Sequence, residues 1–231
     1  MKIIKCIIFL FNFAAIYFIV TLILTDDVSS YSRIMMHELY QELRNTEILL
    51  SGASLCYRSC DPAAFESVLG KKTFNTGTSS QTYPARFYLM ELLLKRENQI
   101  ETVVLITGPN ELFRKTEGDN NDIRIANYIV FDYMKWDASK VRFLCQEMED
   151  KADAVLKGIR YHENWKKGGQ LGFNIKKKIV DSDMYWSYAY SNALHSDEQY
   201  KGKGFVYTDQ KRAADIKMES VPVLAAPGER L

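Results

Sequence analysis

The first feature of the chain is a long, uninterrupted run of apolar positions near the N-terminus. Residues 7–24 form an 18-residue stretch without a charge, in which Asn12 and Thr21 are the most polar members. At about 1.5 Å per residue, a helix of this length covers about 27 Å, close to the ~30 Å hydrocarbon core of a bilayer. The pattern predicts a transmembrane helix, with residues 1–25 as the anchor and residues 26–231 as a separate domain.

A cleavable signal peptide is the competing interpretation of the same run. Signal peptides usually have an apolar stretch of about 7–15 residues followed by a small-x-small cleavage site, whereas this run is longer and continues into Leu24-Thr25-Asp26-Asp27. We therefore favour an anchor. Lys2 and Lys5 precede the run, so the positive-inside rule places the N-terminus in the cytoplasm. The expected location is the cell membrane, crossed once, with the bilayer as a partner and the domain outside.

After the anchor, the pattern changes to short apolar runs that alternate with helical segments. A polar exit and a helix are expected over residues 26–46. Runs at 47–51, 72–75 and 101–107 predict strands, the first of which suits a buried parallel strand, and residues 62–69 and 84–96 predict helices between them. Three strands alternating with two helices predict an α/β domain with a parallel sheet, in which function gathers at the carboxyl ends of the strands.

Beyond residue 111 the alternation disappears. Residues 122–160 have helical periodicity, whereas residues 162–215 are rich in Lys, Tyr and Gly and show only weak periodicity. We interpret residues 112–220 as a mostly helical insertion. Residues 221–224 are the only later segment that indicates another strand.

Composition narrows the function further. The formal net charge is +1, which argues against nucleic acid as a partner. Lysines cluster at 166–167 and 176–178, and a solvated face is a better interpretation of them than a lipid or nucleic-acid patch. Cys56 and Cys60 have no further ligands at metal-binding spacing, so free thiols and no cofactor or metal are expected. A redox or metal role for this pair is a weaker hypothesis.

Each predicted strand ends in small or polar residues. These are Gly52-Ala53-Ser54, then Gly77, then Gly108-Pro109-Asn110-Glu111. Acyl transfer through serine needs a nucleophile and donors for the developing oxyanion, roles that suit Ser54, the Gly77 amide and the Asn110 side chain. The ordinary alternative is turn chemistry at all three places.

These blocks resemble, in order, the first three blocks of the SGNH (GDSL-like) hydrolases. The longer strings at 50–62 and 74–81 resemble a membrane-anchored bacterial subgroup. The resemblance implies a partial flavodoxin-like, SGNH-type sheet and a serine esterase or O-acyltransferase acting on acylated cell-envelope glycans or lipid-linked substrates. It also implies Ser54 as nucleophile, with Gly77 and Asn110 as oxyanion donors.

The chain departs from that pattern in its histidines. The family's base belongs to a D-x-x-H block, but none of His37, His162 and His195 has an Asp three residues before it, so the base is not identified. Three explanations stay open: the domain is incomplete at its C-terminus, the chain is a degenerate member that binds without turnover, or His162 or His195 acts from an unusual position. The alternative function is a non-catalytic, membrane-anchored binding or scaffolding module of envelope assembly.

Overall fold

The apolar run forms a single helix, α1 (Lys2–Leu24), in the computed structural model, which describes residues 2–96, 98–108, 121–189 and 197–209. Its segment Ile3–Leu24 has a mean hydropathy of 2.6 and is long and apolar enough to cross a membrane. Most of its large side chains are exposed, as Phe11 illustrates at 72%. A membrane anchor and a signal sequence both fit this helix.

The next part of the chain is an α/β unit around a three-stranded parallel sheet. The strands are β1 (Ile48–Gly52), β2 (Thr73–Asn75) and β3 (Thr102–Ile106), in the order β2-β1-β3. The helices are α2 (Tyr31–Glu42), α3 (Ser54–Ser59), α4 (Pro62–Leu69) and α5 (Tyr83–Leu94). The predicted parallel sheet is confirmed. Its central strand β1 is completely buried, as a continuous apolar run predicts.

Local signals explain where α4 begins and ends. The side chain of Asp61 accepts a hydrogen bond from the Ala63 amide at 2.9 Å, and Pro62 is the first helical residue. Gly70 ends the helix with φ +67°, a left-handed conformation that favours glycine. These bounds agree with the helix predicted over residues 62–69.

Residues 121–186 are a series of helices rather than a continuous one. They are α6 (Asn121–Phe131), α7 (Ala138–Glu147), α8 (Lys151–Val155), α9 (Lys157–Arg160), a 3₁₀ turn (His162–Lys166), α10 (Gly168–Ile175), a π-helical turn (Lys176–Val180) and α11 (Asp183–Trp186). The main core joins the sheet to these helices. It includes Met35, Leu39, Leu49, Phe74, Leu89, Leu92, Phe131 and Phe143.

The sequence interpretation missed an antiparallel hairpin, which consists of β4 (Glu198–Gly202) and β5 (Phe205–Thr208). Its turn residue Lys203 accepts a hydrogen bond from the Asn75 amide at 2.9 Å, so the hairpin covers the outer edge of β2. Gly204 has φ +78°, and a Cβ there would lie 1.8 Å from the Asn75 carbonyl oxygen. Only glycine fits this turn.

Candidate functional site

Ser54 lies where the central strand turns into a helix. It is the first residue of α3, one residue after β1 ends at Gly52, and its side chain is exposed. A Cβ at Gly52 would lie 2.6 Å both from the Cys56 Cβ and from the Ile106 carbonyl oxygen. Glycine therefore lets β1, β3 and α3 converge at the carboxyl edge of the sheet, where the sequence predicts the site.

Gly77 packs against the same helix. A Cβ at Gly77 would lie 3.0 Å from the Tyr57 amide nitrogen, so the loop after β2 comes as close to α3 as a glycine allows. The Gly77 amide, however, already donates to the Asn75 side-chain oxygen at 2.9 Å. It would have to leave that acceptor before it could stabilise an oxyanion. Asn110, the other predicted donor, and Glu111 lie outside the described residues.

The Asn75 side chain connects the end of β2 to α3 and to the Gly77 loop through hydrogen bonds, a role that the sequence interpretation missed. Its Nδ2 donates to the carbonyls of Cys56 and Cys60, each at 2.9 Å. Its Oδ1 accepts from the Gly77 amide and, at 3.1 Å, from the Cys56 thiol. The sequence feature that could have indicated this role is a polar residue at the end of a buried strand, because a buried side-chain amide needs hydrogen-bond partners. Cys56 is thus a buried hydrogen-bond donor in this structure.

The described histidines are engaged elsewhere. The His37 ring stacks on Tyr188 at a centroid distance of 3.7 Å, and its Nε2 lies 2.9 Å from the Gln41 Nε2. Partial burial lowers the pKa of His37, with help from the positive charge of Arg33. His162 is exposed on the 3₁₀ turn beside α1. His195 lies outside the described residues.

The Ser54 hydroxyl makes no hydrogen bond within residues 2–96, 98–108, 121–189 and 197–209. No general base for Ser54 can therefore be assigned from the described part of the chain.

The start of α2 places this edge close to the end of α1. Tyr31 is the first residue of α2, and its ring lies 4.8 Å from that of Tyr57 in α3. Burial raises the pKa of Tyr31 well above its usual value, and Tyr57 adds to the effect. Tyr31 comes only seven positions after Leu24, a span of at most about 25 Å even when extended. Tyr31, which contacts α3 through Tyr57, therefore lies within about 25 Å of the end of α1.

A second polar cluster surrounds the C-terminal end of α1. Lys178 pairs with the Asp27 carboxylate at 2.6 Å and donates to the Leu22 carbonyl at 2.9 Å. Its side chain is 0% exposed and that of Asp27 only 10%. Burial lowers the pKa of Lys178, and the Asp27 charge opposes the shift. The prediction that Lys178 belongs to a solvated face is wrong, because Lys178 is buried, neutralises the Asp27 carboxylate and caps the C-terminal end of α1.

Two asparagines complete the cap. Asn174 Nδ2 donates to the carbonyls of Ile23 and Thr25, at 3.0 and 3.2 Å, and Asn164 Nδ2 donates to that of Leu24 at 3.0 Å. Helix ends leave four carbonyls without partners inside the helix. Here side chains from residues 164–178 satisfy three of them, those of Leu22, Ile23 and Leu24.

A polar cavity of about 430 Å³ lies between the residues that follow α1 and helix α6. Its lining includes Asp26, Ser30, Arg124, Tyr128 and Asp132. The Asp132 carboxylate is held by ion pairs with two cations of α9, Arg160 and, at 3.4 Å, Lys157.

Within the described ranges, no group of three or more His, Cys, Asp or Glu side chains is placed to hold a metal ion. Comparisons with models of protein families, with curated proteins and with solved structures found no match for this chain. The fold itself defines a mixed α/β protein that has a three-stranded parallel sheet and a long apolar N-terminal helix.

Proposed function

We propose that the chain is an exported, membrane-tethered serine esterase or O-acyltransferase of the SGNH type, acting on acylated glycans of the cell envelope. The observation that carries the proposal is the position of Ser54. It is exposed on the first turn of α3, directly after the central strand, at an edge where Gly52 and Gly77 allow close approach of the backbone. A partial flavodoxin-like sheet is the finer description of the fold that goes with this proposal.

In the proposed reaction, the Ser54 Oγ attacks the carbonyl carbon of an ester. The alcohol leaves with the serine's proton, and water or a sugar hydroxyl then takes the acyl group from the serine. The first bonds inside α3 come from the amides of Cys56 and Tyr57 to the Ala53 carbonyl, so α3 offers no acceptor to the Ser54 amide, which is available to an oxyanion. Gly77, once released from Asn75, and Asn110 are the further proposed donors. The base is not identified, and His162 and His195 are its two candidates.

The contacts of α1 support an anchor that stays attached. Lys178, Asn174 and Asn164 bind the carbonyls at its end. Removal of α1 would take one carbonyl acceptor from each of these three side chains. Lys178 would keep Asp27, and Asn174 would keep the Thr25 carbonyl. A helix that is to be cleaved away gains nothing from such a cap.

A fluorophosphonate probe tests the nucleophile. The full-length chain in detergent micelles is incubated with the probe, and Ser54→Ala is compared with Ser59→Ala, which changes an exposed serine of the same helix. Labelling of the wild type and of Ser59→Ala, but not of Ser54→Ala, supports the proposal. His162→Gln and His195→Gln test the two candidate bases: loss of the true base should slow labelling by about 100-fold or more, because a serine without its base is a weak nucleophile.

Two results would reject the catalytic proposal. One is a wild-type chain that stays unlabelled while a known serine esterase is labelled in the same micelles. The other is Ser54→Ala labelled as fast as the wild type.

The second candidate function is a non-catalytic, membrane-anchored binding or scaffolding module that uses the same edge. The occupied Gly77 amide favours it, because a donor already bonded to Asn75 is not poised for an oxyanion. Saturable binding of an acetylated glycan oligomer to an unlabelled wild-type chain, abolished by Ser54→Trp but retained by Ser59→Trp, would support the binding module instead of the enzyme.

A further inference from the structure

The helices that cap α1 also pack along its side. Residues 157–180, which comprise α9, the 3₁₀ turn, α10 and the π-helical turn, are called the collar below. The Gly158 amide donates to the Tyr17 hydroxyl at 3.2 Å. A Cβ at Gly158 would lie 2.5 Å from the Thr21 Oγ1. The collar thus contacts α1 at Tyr17, about 10 Å along the helix axis before Leu24.

This contact fixes the height of the collar relative to a bilayer. The uncharged part of α1, residues 6–24, is about 28 Å long, which just matches a ~30 Å hydrocarbon core. If everything from Tyr17 onward stood in water, residues 6–16 would offer only about 16 Å. A bilayer crossed by α1 must therefore reach the level of the collar.

The exposed surface of the collar is partly apolar, as expected for a segment at the level of a bilayer surface. Besides Val180, four of its apolar side chains are exposed, and each of these four immediately follows a residue that is bonded to α1. They are Ile159, Trp165, Ile175 and Ile179. Apolar groups around the base of a membrane helix, with a tryptophan among them, are typical of segments that lie in the interface.

The charge of the collar is equally distinctive. Its 24 residues contain seven Lys or Arg and one acidic residue, Glu163, whereas the whole chain has a net charge of only +1. Three lysines are exposed, namely Lys166, Lys167 and Lys176. Basic side chains beside a membrane helix attract anionic headgroups.

We propose that the collar is an interfacial membrane-binding element, which lies in the outer leaflet around α1 and contacts anionic lipid headgroups through its lysines. The inference rests on the proposed anchor and is independent of the Ser54 chemistry. It also makes the exposed Lys166, Lys167 and Lys176 lipid-facing, contrary to the solvated face that their pattern predicts.

Tryptophan quenching tests the proposal, since the chain has only three tryptophans. Trp136→Phe keeps Trp165, and Trp165→Phe keeps Trp136, whose side chains are similarly exposed at 63% and 58%. Trp186 donates to the Lys178 carbonyl at 3.1 Å and is kept in both variants. Each full-length variant is reconstituted into phosphatidylcholine–phosphatidylglycerol vesicles, with or without bromine on the acyl chains, and its circular dichroism is compared with that of the wild type.

We expect brominated lipid to quench Trp136→Phe at least twofold more than Trp165→Phe, and aqueous iodide to show the reverse order. Intact mass is measured first. If the chain is intact and lipid quenching is equal in both variants, the proposal that the collar binds the membrane is overturned, whereas the proposed anchor is not. If the intact mass shows that residues 1–24 have been lost, both the proposed collar function and the proposed anchor are overturned. Neither result depends on whether Ser54 reacts with a fluorophosphonate.

Discussion

The ion pair between Asp27 and Lys178 gives the sharpest prediction, because it joins the chain just after α1 to the collar. Asp27→Asn keeps the shape of the side chain and removes its charge. The Lys178 ammonium then remains buried with only neutral acceptors, among them the Leu22 carbonyl at 2.9 Å. Lys178→Met removes the other partner and leaves Asp27 with the Tyr185 hydroxyl, 3.2 Å from each carboxylate oxygen.

The magnitude follows from burial. Loss of one partner of a buried pair typically costs about 3–5 kcal/mol, and at 0% and 10% exposure this pair is screened very little by water. The lower end applies to Asp27→Asn, since the negative end of the α1 dipole still favours the ammonium. We expect each single variant to lower the free energy of unfolding by about 3 kcal/mol. The double variant should lose only about 2 kcal/mol, because neither charge is then left unpaired.

Pulse proteolysis over a urea series, on the full-length chain in detergent micelles, measures these changes. Glu163→Gln is the matched control, since it removes an ion pair of comparable length, 2.8 Å to Lys166, between exposed side chains. It should leave the urea midpoint unchanged. The reasoning is refuted if Asp27→Asn behaves like Glu163→Gln, or if the effects of the two single variants simply add in the double variant.

Three further predictions concern other parts of the molecule. Gly52→Ala should lower the free energy of unfolding by about 1–3 kcal/mol through overpacking, whereas Gly108→Ala, which meets nothing within 4 Å, should be neutral in the same urea series. Burial lowers the pKa of Lys140 to about 8 in the folded protein, against about 10.4 in the unfolded chain. Between these two pH values the Lys140 amine is protonated in the unfolded chain but largely neutral in the folded one. The free energy of unfolding therefore rises with pH in this range, by up to about 1.4 kcal/mol per pH unit. Lys140→Met should remove that rise, and urea midpoints at pH 8 and pH 10 measure it; an unchanged rise would contradict the assignment. Ile179→Glu should weaken quenching of Trp165 by brominated lipid, whereas Val141→Glu, at an equally exposed position of α7, should not; equal effects would count against the collar.

The parts of the fold that were predictable carry their signals locally. The strands at 48–52 and 102–106 are short, mostly apolar runs bounded by polar or turn residues. The first is buried along its whole length, as the central strand of a parallel sheet requires, whereas the second is partly exposed, with Leu105 at 61%. The limits of α4 follow from Asp61, Pro62 and Gly70. Each of these features depends on residues only a few positions apart, so sequence alone was enough.

The hairpin at 198–208 was not predictable in this way. Its first strand is mostly polar, and its position depends on partners far away in the chain. Glu38 accepts hydrogen bonds from the Lys203 amide at 3.0 and 2.9 Å, and Asn75 donates to the Lys203 carbonyl. Tertiary contacts of this kind override weak local preferences for strand.

The candidate site was predictable in outline. Three strand ends indicated one edge of a sheet, and the structure brings Ser54 and Gly77 to α3 at that edge. The engagement of the Gly77 amide by Asn75 was not foreseen, because the same residues permit either a free or a bonded amide and only the backbone path decides between them. Whether Ser54 is a nucleophile stays a prediction.

On the proposed topology, α1 is part of the domain's structure and not a loose tether. Its carbonyls are bonded to Asn164, Asn174 and Lys178, and its side to Gly158, so the domain cannot rotate freely about the helix end. Tyr31, only seven residues past Leu24, stacks on the helix that begins at Ser54. A rigid collar would hold that serine at one height and in one orientation above the headgroups. An ester held at the bilayer surface could then reach Ser54 without reorientation of the domain. This arrangement favours lipid-linked or surface-bound glycans as substrates over freely diffusing esters.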